Sequence, residues 1–133
     1  MRFLCIGYVW PEPRSSAAGI HTLGLLDSAL AAGWEVHFAS AATESVERGS
    51  RSELDTRGIH THSVLLNDSS FDDWARELAP DIVVFDRFVI EEQFGWRIYE
   101  QVPEALRVVD SQDLHFFWRE RERMVTSGAN SMQ

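Results

Sequence analysis

Asp86-Arg87 directly follows the apolar run Ile82-Val83-Val84-Phe85. A carboxylate at the end of a buried strand can accept hydrogen bonds from sugar hydroxyls; the plainer alternative is a pair of solvated charges. The densest polar cluster is Asp110-Ser111-Gln112-Asp113-Leu114-His115. There Gln112 and Asp113 can face a cleft and bind a ligand, or Asp113 can be a helix N-cap with His115 packed on the first turn. Ser111 and His115 could be argued into a nucleophile–base pair, but no nucleophile elbow surrounds the serine. Upstream, Ser15-Ser16-Ala17-Ala18-Gly19 closes a loop that carries Pro11 and Pro13. Small residues such as Ser16, Ala18 and Gly19 at a helix start let a ligand approach the backbone, whose free N–H groups favour a phosphate. The serines can equally serve as caps alone. His21 follows one turn into that helix and draws interest only from where the helix points.

Two further groups suggest chemistry. His60 and His62 fall on one face of a strand, a spacing open to two metal ligands. No Cys, third His or carboxylate accompanies them nearby in sequence, so a structural role is expected and no metal is assigned. Gly7 is followed by Tyr8-Val9-Trp10 with no second or third glycine in register, which excludes the dinucleotide fingerprint. All 12 basic residues are arginine. Without lysine there is no P-loop and no Schiff-base amine beyond the N-terminus.

These residues need a scaffold, and 133 residues suit one domain. The formal charge of -9 repels nucleic acid and anionic headgroups, so neither is expected as a partner. No apolar run approaches the ~20 residues of a membrane span, and no signal-peptide pattern opens the chain. Cys5, the sole cysteine, reads as a small buried hydrophobe. A cytoplasmic location is expected from these features.

Five segments read as strands: Arg2 to Val9, Glu35 to Ser40, Ile59 to Leu66, Asp81 to Asp86 and Leu106 to Asp110. The third alternates and reads as peripheral; the fourth is apolar throughout and reads as buried on both faces. Between them lie helices. The first is capped by Ser15 or Ser16, carries the stripe Ile20, Leu23, Leu26, Leu30 and ends at Gly33. A weaker one runs from about Arg51 to Arg57, ending at Gly58. The third is capped at Asp68 to Ser70, buries Phe71, Trp74 and Leu78, and stops before Pro80. The fourth runs from about Glu91 to Gln101 with Phe94, Ile98 and Val102 in line. The last starts near Asp113, with Leu114, Phe117 and Met124 on one face. Alternating strands and helices predict a single Rossmann-like α/β domain over 1–125, a parallel sheet of about five strands with helices on both faces, and a frayed polar tail over 126–133.

The chain resembles the N-terminal domain of a GT-B glycosyltransferase of the large retaining group (family 4-like, group 1). Three stretches carry the likeness: Ile6-Gly7-Tyr8-Val9-Trp10-Pro11 leading to Ala18-Gly19-Ile20-His21; Ala32-Gly33-Trp34-Glu35-Val36-His37-Phe38, similar to a Gly-His-Glu-Val turn; and Pro80-Asp81-Ile82-Val83-Val84 followed by Glu91 to Trp96 and Leu106 to His115. The resemblance implies transfer of a sugar from a nucleotide-sugar donor, bound as substrate, to an acceptor, with no cofactor or metal. It implies that Ser16, Ala18 and Gly19 face the donor diphosphate, and that His21, Asp86, Arg87, Gln112 and Asp113 lie toward the acceptor or sugar. Ala18 stands where many relatives have Gly, and Gln112 where many have His, so no titratable group is implied there. Most of the donor site belongs to a second domain absent from this sequence, so the isolated chain is expected to be inactive. Without the family's further strands, an exposed sheet edge near strand five, with Phe116 and Trp118, would invite a homodimer. The contrasting reading is a flavodoxin-like binding or signalling module without catalysis.

Overall fold

The computed structural model describes residues 1–7, 17–41 and 48–110. Its elements are β1 (Arg2–Gly7), α1 (Ala17–Ala31), β2 (Glu35–Ser40), α2 (Arg48–Arg57), β3 (His60–Ser63), α3 (Ser69–Leu78), β4 (Ile82–Asp86), α4 (Phe88–Gln101) and β5 (Leu106–Asp110). The sheet has five strands in the order β3-β2-β1-β4-β5, and every neighbouring pair is parallel. The expected α/β class, a parallel sheet covered on both faces, is what the chain forms.

The alternation of each strand sorts two cores. Leu4, Ile6, Val83 and Phe85 point to one face, where Phe71 and Ala75 of α3 and Ile90, Phe94 and Ile98 of α4 cover them. Phe3, Cys5, Val36, Phe38 and Val84 point to the other, under Leu23, Leu26 and Ala29 of α1 and Leu54 of α2. Both faces of β4 are buried, as its apolar run requires. Its partner β5 leaves Leu106 and Val108 exposed on the α1 side. Among the described residues β3 and β5 are the edges of the sheet.

Local chemistry explains the boundaries. Gly33 and Gly58 follow α1 and α2 at φ 83° and 93°, a region glycine enters without steric cost. Asp68 caps α3 by accepting from the Ser70 N–H at 2.8 Å. At the other end Ala79 takes the left-handed C-cap that a glycine usually fills.

Five expectations need correcting. α2 begins at Arg48 rather than near Arg51. β3 is shorter than the Ile59 to Leu66 segment, because its ladder with β2 runs only from His60 to Ser63. β4 begins at Ile82, one residue later than expected. α4 begins at Phe88 rather than near Glu91, since the chain turns straight from β4 into the helix. Ile20 is 58% exposed. At ~100° per residue it sits about a quarter-turn from the line through Leu23, Leu26 and Leu30, so it misses the core. The Ser15 and Ser16 caps, Val9, the helix expected from Asp113, Phe116, Trp118 and the 126–133 tail lie outside the described residues.

Candidate functional site

The strand order fixes where a ligand can reach this sheet. From β1 the chain moves outward through β2 to β3, then returns to the other side of β1 for β4 and β5. At that reversal the connections after β1 and β4 leave toward opposite faces and open a crevice at the carboxyl ends of the strands. Gly7 ends β1 there; Asp86 and Asp110 end β4 and β5.

Asp86 and Asp110 are register partners. Their neighbouring strands run about 4.8 Å apart, so two carboxylates stand side by side on the face that carries α1. α1 brings His21 to them: its Nε2 lies 2.9 Å from Asp110 Oδ2. A carboxylate only accepts, so the ring nitrogen facing it is an N–H donor. The carboxylate thereby fixes the ring's tautomer and direction, and in the neutral imidazole leaves Nδ1 as an acceptor. The ring is 54% exposed while Asp110 is only 16% exposed, so a held carboxylate orients an accessible base.

Arg87 occupies the turn from β4 into α4. Its Nε lies 3.7 Å from Asp86 Oδ1, and its backbone N–H donates to the Asp110 carbonyl at 2.9 Å. The backbone stands at φ 80°, ψ 161°, a region almost confined to glycine. Such a conformation costs on the order of 1–3 kcal/mol and persists only where surrounding contacts impose it. Here the strain sits between the two carboxylates and the start of α4.

The buried Cys5 thiol reports the same charge from below. Burial pushes its pKa well up, and Asp86 and then Asp110 add to the shift. A thiol held protonated in this way is a poor nucleophile, so Cys5 stays a packing residue.

Of the residues singled out in the sequence, His21, Asp86 and Arg87 meet at this edge. Ala18 and Gly19 lie in the first turn of α1, one turn before His21. Ser16, Gln112 and Asp113 lie outside the described residues. Asp110, read as a strand end and as the first residue of the polar cluster but given no binding role, is the member that sequence reasoning missed. The sequence showed only that Asp86 and Asp110 each end a strand; that they are register partners follows from the sheet order.

The histidines at the opposite side of the sheet are the other concentration of titratable groups. Sequence spacing paired His60 with His62 and found no companion; the sheet supplies His37 and Glu35 from β2. His37 stacks on His60 and on His62 at 4.7 and 5.1 Å between ring centres. Its Nε2 faces Glu35 at 2.6 Å and its Nδ1 faces His62 Nε2 at 2.9 Å. Trp74 of α3 closes the stack against His62. Burial first, then the neighbouring His37, His60 and Arg51, pushes His62 down to about 4, and burial lowers His37 as well. With both nitrogens of His37 already bonded, His37 and His62 are packed rings that resist protonation. Among the described residues no group of three His, Cys, Asp or Glu is arranged to hold a metal ion, and no helix there is long and apolar enough to cross a membrane. Searched against family models and against curated proteins, the chain matches none.

Proposed function

We propose that the chain is the acceptor-side domain of a glycosyltransferase that moves a sugar from a nucleotide-activated donor to an acceptor. The observation that carries the reading is the carboxyl-edge cluster: a strand reversal with Asp86, Arg87, Asp110 and an oriented His21 gathered at its crevice. Hydroxyl ligands suit such a group, because two carboxylates and one imidazole acceptor can each take an O–H hydrogen bond. The likeness of the loop into α1, the Gly33-Trp34-Glu35 turn and the Pro80-Asp81-Ile82 entry to β4 adds to it. In this reading the first turn of α1, with Ala18 and Gly19, faces the donor phosphates, whose charge a helix N-terminus favours.

Sugar transfer needs donor and acceptor held in line, and holding them supplies much of the barrier reduction. This chain supplies one wall of that arrangement. Its residues would position an acceptor hydroxyl, while a second α/β domain would grip the nucleotide sugar. The test is the reading frame beyond codon 133. A following α/β domain with a glutamate-bearing donor motif is expected; a stop codon there overturns the proposal in favour of a stand-alone binding module.

A further inference from the structure

Imidazoles rather than aliphatic packing hold β3 to the sheet. The strand spans four residues, none of them buried, and it pairs with β2 alone. Its sequence, His60-Thr61-His62-Ser63, places no aliphatic side chain in either core. On the α3 side His60 and His62 stack on His37 of β2, and Trp74 meets His62 at 4.9 Å between ring centres. On the opposite face Arg51 of α2 donates to the Thr61 hydroxyl, which donates in turn to Asp55. Neutral rings can pack in this way, whereas charged ones must be solvated.

The hydrogen bonds of the stack fix how many protons it can hold. Glu35 is an acceptor, so His37 presents Nε2–H to it. In the neutral ring His37 Nδ1 then accepts, and His62 Nε2–H donates across 2.9 Å. One added proton is tolerated: on His37 it reverses the bond, with Nδ1–H donating and His62 Nε2 accepting. With both rings charged, N–H faces N–H and no bond remains. The groups facing the stack do not offset that second proton. Arg2 of β1 and Arg51 of α2 are cations, His60 is a third imidazole, and α3 contributes the uncharged Trp74. The carboxylates beside it are taken: Glu35 accepts from Arg2 and His37, and Asp55 accepts from Thr61. We propose that β3 is a proton-released edge strand: a second proton on the His37–His62 pair breaks the imidazole stack and detaches β3 from β2, while β1, β4 and β5 stay paired. Acid then uncovers the outer edge of β2, a row of N–H and C=O groups open to another strand. The device is separate from the carboxyl-edge cluster and does not depend on the transfer reaction.

Hydrogen exchange of backbone amides in the isotopically labelled chain, corrected for the intrinsic pH dependence of exchange, tests this. The Val64 amide, which donates to the Ser40 carbonyl at 2.9 Å, reports the end of the β3 ladder. The Asp81 and Leu106 amides, which donate to the Arg2 and Asp81 carbonyls, report the rest of the sheet. From about pH 6.5 to about pH 5 the protection of Val64 should fall about a hundredfold, because the detached strand takes up protons that the stack withholds. Asp81 and Leu106 should change by less than about twofold over the same range. In His62→Gln the side-chain amide keeps a donor for His37 but cannot charge, and the fall at Val64 should be no more than about tenfold. Should that variant not fold, the ring nitrogen shifts of the parent chain carry the test: His37 and His62 should both be charged only where Val64 has lost protection. Protection at Val64 that holds down to about pH 5 overturns the proposal. So does protection that falls together with Asp81 and Leu106, or that falls as far in His62→Gln, and so do two charged rings beside a protected Val64.

Discussion

Among the described residues two histidine–carboxylate pairs share almost the same local geometry and differ in their surroundings. His21 meets Asp110 at 2.9 Å and His37 meets Glu35 at 2.6 Å. The first ring is 54% exposed on a half-buried carboxylate; the second is 7% exposed with a carboxylate at the surface. In the first pair the carboxylate is the fixed element and the imidazole is free to meet a ligand. In the second the imidazole is wedged between His60 and His62, and its remaining nitrogen is taken. The lesson is that a His–carboxylate contact becomes a site only when the second ring nitrogen is accessible. Position in the sheet decides that: one pair stands at the strand reversal, the other inside the β2–β3 edge.

Removing each ring in turn is the most direct way to break the comparison. His37→Ala should cost about 2–3 kcal/mol, since it leaves a cavity and strips partners from His62 and Glu35. His21→Ala should change stability by no more than about 0.5 kcal/mol, as expected of an exposed side chain. Urea unfolding midpoints of the two variants check this, and equal losses would dissolve the distinction.

Acid sharpens it. The His62 pKa is about 4 in the folded chain, against about 6.5 in an unfolded one. Between those values the unfolded state binds more protons, so stability rises with pH in that window. It is fully present above pH ~6.5 and is lost as pH falls toward ~4. For a partly exposed ring the loss should reach on the order of 2 kcal/mol. Glu35, held below its usual range chiefly by the hydrogen bond from His37, pushes in the same direction. Unfolding measured at pH 7 and pH 4.5 should show the loss in the parent chain and a smaller one in His62→Gln; an unchanged difference would mean another group is responsible.

A smaller effect than either concerns strain at the turn from β4 into α4. Arg87→Gly should raise stability by about 1 kcal/mol, by relieving the φ 80° backbone. The balance is small because glycine also gains freedom in the unfolded chain and the Asp86 contact is lost. A melting temperature that falls clearly would show that the Arg87 side chain holds the turn together.

Much of this architecture was legible in the residues. Ile82-Val83-Val84-Phe85 could only be a strand buried on both sides, and Gly33 and Gly58 marked the ends of α1 and α2 because few other residues turn there at low cost. Asp86 and Arg87 were visible as polar residues at the end of a buried strand. The limits were physical as well. The β3 boundaries depended on how far β2 runs beside it, and the exposure of Ile20 on the angular position of a single turn of α1.

The sequence by itself determined the alternation of strands and helices, the acidic charge, the exclusion of lysine chemistry and the dinucleotide fingerprint, and the polar ends of β4 and β5. Those follow from residue type and short-range period. Only the tertiary structure decided that His21 meets Asp110 across 89 positions of sequence and that His37 completes the stack of His60 and His62. Both depend on sheet order and register, which pair residues by spatial neighbourhood rather than by spacing along the chain. The first pairing leaves an exposed ring on a half-buried carboxylate, and the second buries His37 between its neighbours.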